Sequence, residues 1–149
     1  MIVLPEAHRA AIVDHAESDP SEECCGLMLG RFSDGGTKIV QGLMSIDNAR
    51  KSAARHNRFL IGTMEMLKGE RQARSLGLDV VGIYHSHPNA PAVPSQFDLD
   101  HAWPVYSYVI VAVTAQGAGA LRSWALREDR SGFDEEDIAA TTDDTGSGR

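Results

Sequence analysis

The chain has 149 residues, 42% of them hydrophobic and 23% charged, and a formal net charge of -7. That length fits one domain with a substantial core, and an acidic balance argues against nonspecific nucleic-acid binding, which needs basic surface. No apolar run is long enough to cross a membrane, and MIVLPEAHRA lacks the basic start and apolar core of a signal peptide.

Pro5 to about Ser18 reads as a helix. Pro5 suits a first turn, Glu6 suits the positive end of the dipole, and Ala7, Ala10, Ala11, Ile12 and Val13 form an apolar arc. Asp19-Pro20-Ser21 breaks it. Glu22 and Glu23 then lead into Cys24-Cys25-Gly26-Leu27-Met28-Leu29-Gly30, a short apolar run expected to be a buried strand. Ser33-Asp34-Gly35-Gly36 predicts a hairpin turn, with Thr37 to Ser45 as the return strand. The polar stretch from Asp47 to Asn57 reads as a loop, and Arg50, Lys51, Arg55 and Arg58 as its solvated basic set. Gly62 to about Leu76 predicts a second helix with Leu60, Met64 and Leu67 at helical spacing, stopped by Gly77.

Val80 to Tyr84 is a β-rich run that delivers His85 and His87 at its end. A loop with Pro88, Pro91 and Pro94 follows, then a short helix from Ser95 to about Ala102. Ser107 to Ala115 is the strongest strand signal, and Ala120 to Leu126 returns beside it. The segment Asp134 to Asp144 is acidic, without Lys or Arg, and reads as a solvated tail. Phe133 and Ile138 are candidates to pack on the body. The fold class expected is mixed α/β, with two main helices and a short third helix beside a largely antiparallel sheet. Residues 1–140 form the domain, and 141–149 are expected to be a disordered tail.

The chemistry concentrates in one stretch. His85 and His87 alternate around Ser86, so on an extended backbone both rings face one side. Asp98 follows eleven residues after His87. Two imidazoles and a carboxylate are a common three-ligand set for catalytic zinc, with the fourth position left to water. Ser95 and Asp98 also form a capping box. Cys24 and Cys25 are adjacent, which strains any bridge between them; no CxxC spacing exists, so they read as buried structural thiols in a reducing, cytoplasmic setting. His101 reads as surface. His8, His15 and His56 lack partners in the sequence and are expected to be exposed, and Trp103 and Trp124 are expected to be core or partly buried anchors.

His85-x-His87-Pro88 followed by Ser95-x-x-Asp98 resembles the signature of the JAMM metallopeptidases, or MPN+ domains. Glu23-Cys24-Cys25-Gly26 is similar to the Glu-x-Cys-Gly stretch of the prokaryotic members. With the order of elements, the resemblance spans about residues 2 to 127. It implies an MPN-like fold, related to the cytidine-deaminase-like architecture. It implies Zn2+ held by His85, His87 and Asp98. Glu23 matches the general base that takes a proton from water at the zinc and passes it to the leaving amine. Ser95 matches the serine that hydrogen-bonds the developing oxyanion. Cys25 matches the family cysteine, with a packing role. If the backbone is extended at Glu22-Glu23, only one glutamate reaches the site, and the family pattern selects Glu23.

The implied activity is hydrolysis of a peptide or isopeptide bond at the extended C-terminal tail of a ubiquitin-like or sulfur-carrier protein. Trimming of a sulfur carrier is the first expectation for a small stand-alone member. Removal of ubiquitin-like modifiers from lysine is the alternative, and a non-catalytic MPN scaffold the third. The substrate tail is expected to add as a strand near the His-bearing strand or the hairpin. The oligomeric state is not legible.

Overall fold

The computed structural model describes residues 1–46 and 61–141. The elements are β1 (Ile2–Val3), α1 (Glu6–Ser18), β2 (Cys25–Phe32), β3 (Lys38–Ile46), α2 (Thr63–Ser75), β4 (Asp79–Pro88), α3 (Gln96–Asp100), β5 (Ser107–Thr114), β6 (Gly117–Leu126), β7 (Phe133–Glu136) and β8 (Ile138–Ala139). A 3-10 turn at Asp34–Gly36 joins β2 to β3 where the sequence predicts a hairpin. The basic loop with Arg50, Lys51, Arg55, His56 and Arg58, and most of the terminal segment, lie outside the described residues.

One mixed sheet runs in the order β7-β6-β5-β4-β2-β3-β1-β8. The β2–β3, β2–β4, β5–β6 and β6–β7 pairs are antiparallel. β4 and β5 are parallel, so the chain from Pro88 to Ser107 must cross over, and it carries α3 as it does so. The site therefore lies at the C-terminal end of a parallel pair, where crossover chains leave room for ligands. β4 is paired on both sides and offers no edge for an added strand. β3 meets β1 only over Lys38 and Ile39. Among the described residues, its outer edge beyond Ile39 has no strand partner.

Alternation along the strands divides the core between the two faces of the sheet. Met28, Val81 and Tyr84 join Ile12 and Ala16 of α1 on one face. Leu27, Leu29 and Ile83 join Met66 and Ala73 of α2 on the other. Two details depart from the sequence reading. On α1 only Ile12 and Ala16 are buried, while Ala7, Ala10 and Ala11 are exposed. On α2 the buried residues are Met66, Gly69 and Ala73, leaving Met64 and Leu67 exposed. Gly69 decides that rotation: a Cβ there would lie 2.1 Å from Leu27 Cδ1. The bare glycine lets the helix sit directly on β2, which a stripe of Met64 and Leu67 would not. Gly77 ends the helix as expected, its amide bonding Arg74 O at 3.0 Å while the Leu78 amide bonds Ala73 O at 2.8 Å.

The acidic segment is only partly a solvated tail. Phe133–Glu136 pairs with β6 and Ile138–Ala139 pairs with β1, at opposite ends of the strand order. Asp137 alone separates the two strands, so the sheet curls until one stretch of chain joins its edges. Phe133 and Ile138 pack against the two core clusters. Glu136 accepts from the Ser107 hydroxyl and from Ser123 Oγ at 2.8 Å. Burial pushes its carboxyl up, but these bonds and the nearby Lys38 ammonium outweigh it and hold the group below its ordinary value. Acidic composition concealed an edge strand whose one inward carboxylate is satisfied by hydroxyls.

Candidate metal centre

His85 and His87 occupy the last turns of β4's pleat and face the α2 side with Ile83. Their Nε2 atoms are 3.1 Å apart. The loop after Pro88 returns through α3, whose N-cap Ser95 accepts from the Asp98 amide at 3.1 Å. The Ser95 amide in turn donates to Asp98 Oδ2 at 2.8 Å, completing the capping box. The box aims Asp98 inward: its Oδ1 is 3.4 Å from His85 Nε2 and its Oδ2 is 3.2 Å from His87 Nε2. All three side chains are buried.

These separations fit a metal ion. Donors about 2.0–2.1 Å from a four-coordinate cation stand about 3.4 Å from one another. The three donors here lie 3.1–3.4 Å apart. The hydrogen bonds agree. His87 Nδ1 bonds the Pro91 carbonyl at 2.9 Å. A carbonyl only accepts, so Nδ1 donates, which leaves Nε2, the nitrogen facing His85 and Asp98, as the one that would hold a metal. Burial lowers the His85 pKa. For His87, burial is outweighed by the Asp98 and Pro91 bonds, and its pKa rises. Burial alone would raise Asp98, but the facing imidazoles and the Ser95 amide hold it well below the usual carboxylate range. A buried anion facing two imidazole nitrogens is a site that accepts a cation.

Glu23 precedes β2 and is buried, whereas Glu22 is only partly so. Ligand atoms of Glu23, His85 and His87 all lie within 4.8 Å of one another. Glu23 is therefore the glutamate that stands beside the histidines. Ser95 is exposed at the start of α3, and its hydroxyl, having accepted from the Asp98 amide, keeps its own hydrogen to donate. A cavity of about 340 Å³ opens beside Asp98, walled by Met66, Ile83, Trp103 and Tyr108. Tyr108 is held by its bonds to the Trp103 backbone, and its phenol is pushed up to about 12, chiefly by burial.

Other residues fall elsewhere. His101 stacks on Phe97 and bonds its carbonyl at 2.9 Å, at the exposed end of α3. Cys24 and Cys25 form no disulfide; Cys24 is partly buried, and Cys25 is fully buried with its Sγ 3.6 Å from the Ile46 carbonyl oxygen. His15 is not an exposed bystander: its Nδ1 lies 2.7 Å from the Tyr84 hydroxyl, because α1 packs on the face of β4 opposite the histidines. Trp124 Nε1 donates to Ala92 O at 3.0 Å, fastening the loop to β6. Ser86, between the two histidines, was passed over. Its Oγ accepts from the Cys24 amide at 2.9 Å, and its own amide bonds Cys24 O at 3.0 Å. A polar residue inside an apolar strand was the available signal; its partner was not.

The chain matches the family described as prokaryotic homologs of the JAB domain over residues 5–127. This protein belongs to that family. The small prokaryotic JAMM/MPN resemblance read from the motifs holds, as does the fold class. The chain is similar to a desampylase of Pyrococcus furiosus, 30% identical and covering 85% of this chain and 82% of the relative. It is also similar to a probable TtuB-protein conjugate cleaving protease of Thermus thermophilus, 30% identical over 76% of this chain and 68% of that one. A solution structure of a protein from Salinibacter ruber aligns with a TM-score of 0.73 and 39% identity, covering 95% of this chain and 92% of that one. No helix among the described residues of this JAB-family protein is long and apolar enough to cross a membrane.

Proposed function

We propose that this JAB-family protein is a zinc-dependent hydrolase that cleaves the isopeptide bond at the C-terminal tail of a ubiquitin-like modifier. The observation that carries the reading is the convergence of His85, His87 and Asp98 at 3.1–3.4 Å, with Glu23 alongside. Two nitrogens and a carboxylate with an open fourth position suit zinc. When bound there, zinc supplies an acidified water and polarises the scissile carbonyl. Glu23 accepts the water proton and returns it to the leaving amine. The Ser95 hydroxyl donates to the developing oxyanion. Pro91 O and the Ser95 amide keep His87 and Asp98 oriented.

The relatives named for conjugate cleavage favour the isopeptide reading over trimming of a sulfur carrier. The complete donor set argues against a non-catalytic scaffold. For the substrate tail, the outer edge of β3 is the better candidate than β4. Ile46 pairs with Cys25 and Cys25 with His85, so the end of β3 stands two strand spacings, about 10 Å, from the histidine. Two cysteines that form no disulfide, Cys25 buried and Cys24 partly so, fit a cytoplasmic setting.

The test uses purified protein, metal analysis and two substrates: a ubiquitin-like modifier joined to a lysine side chain, and the same modifier with a linear C-terminal extension. Close to one zinc per chain is expected, with cleavage of the lysine conjugate. Glu23→Gln abolishes cleavage and keeps the zinc, whereas Glu22→Gln has a mild effect. A protein that neither carries nor takes up zinc refutes the reading, and cleavage of the linear extension alone replaces it with tail trimming.

A further inference from the structure

We propose that Ser86 is a positioning residue for Glu23, a role that rests on the general-base reading above. The β2–β4 ladder ends at the Cys25–His85 pair. Glu23 lies beyond it, outside any strand, yet is buried. One more rung would hold the Glu23–Cys24 peptide, and half of it is ordinary: the Ser86 amide bonds Cys24 O at 3.0 Å. The return bond is not. The Cys24 amide donates to Ser86 Oγ at 2.9 Å, so a side chain closes the ladder.

The pleat explains why this residue can do so. His85 and His87 face the α2 side, and Ser86 faces the α1 side with Tyr84. Ser86 therefore leaves the metal face clear while reaching the next backbone. Ser86 is fully buried, and Cys24 partly so. One backbone segment, His85-Ser86-His87, then sets both the donors and the Glu23 carboxylate, and a shift of one moves the other with it. An alanine at 86 would leave the Cys24 amide without this acceptor and loosen the peptide that joins Glu23 to the ladder.

The experiment compares Ser86→Ala, Ser86→Cys and Ser86→Thr in zinc-loaded, full-length protein. Cysteine matches the volume but is a weak acceptor, whereas threonine keeps the hydroxyl. Three readouts are taken: zinc content, amide exchange at Cys24, and kcat and KM on the lysine conjugate. Ala and Cys are expected to keep about one zinc and an unchanged KM, to speed Cys24 exchange roughly tenfold and to lower kcat roughly tenfold, while Thr restores both. In a Glu23→Gln background the Ala substitution still speeds Cys24 exchange. Unchanged exchange or unchanged kcat in Ser86→Ala, with Glu23→Gln inactive, overturns this inference alone. Loss of zinc from Ser86→Ala and Ser86→Cys alike also overturns it, because the serine would then act on the histidines. An active Glu23→Gln overturns the general-base reading itself, and the inference with it.

Discussion

Replacing Gly26 with alanine should damage the protein out of proportion to one methyl group. Gly26 stands directly opposite Tyr84 in the β2–β4 register. A Cβ at that position would lie 2.3 Å from Tyr84 Cε2, and 2.5 Å from both Cζ and the hydroxyl oxygen. Carbon atoms pack at about 3.5–4.0 Å, so the ring must move by more than 1 Å or the strands must part. The ring has little freedom. Tyr84 is 2% exposed, sits in the α1 core cluster, and bonds His15 at 2.7 Å. Overpacking costs about 1–3 kcal/mol, and loss of the His15 bond adds about 0.5–1.5 kcal/mol. The expected destabilisation is about 2–4 kcal/mol, or roughly 5–15 °C in Tm. Urea denaturation of the metal-free protein, followed by circular dichroism, measures it without a contribution from bound zinc. The double variant with Tyr84→Leu should be less unstable than the sum of the singles by more than about 1 kcal/mol. A Gly26→Ala protein within about 0.5 kcal/mol of the parent, or strictly additive singles, refutes the argument. The glycine of the Glu23-x-x-Gly26 pattern would then need another explanation.

Glu136→Gln should lower stability at pH 7 by about 1–3 kcal/mol, since a charged acceptor of two hydroxyl bonds is lost. Its folded pKa lies below its unfolded one, so this stabilisation is complete above about pH 4.5 and fades as the pH falls through the folded value. Urea titrations from pH 7 to 3 should show a shallower acid-side decline in the variant; parallel curves would remove Glu136 from the account. Trp124→Phe deletes the bond to Ala92 and should cost about 1 kcal/mol while exposing the 89–94 loop to limited proteolysis. Unchanged digestion of that loop would show that the indole does not restrain it.

The sequence itself determined most of the elements and the spacing of the candidate donors. Apolar runs, Gly-rich turns and a proline-bearing loop were enough to place α1, the β2–β3 hairpin, α2, β4, α3, β5 and β6. Spacing of two put His85 and His87 on one face, because strand side chains alternate whatever the partner. A capping box announced the start of α3, and the structure added the direction of Asp98. Long-range pairing was not legible. Which of Glu22 and Glu23 is buried depends on β2 lying against β4, and the motif rather than the spacing favoured Glu23. The face of α2 was misread because Gly69 meets Leu27 from another strand. The acidic segment was misread because composition reports average solvation, and one inward Glu136 needs Ser107 and Ser123 beside it to be tolerated. His15 found Tyr84, and Ser86 found Cys24, only when helix and strand were packed. Local periodicity is encoded in neighbouring residues, whereas a partner sixty residues away is decided by which strands lie side by side.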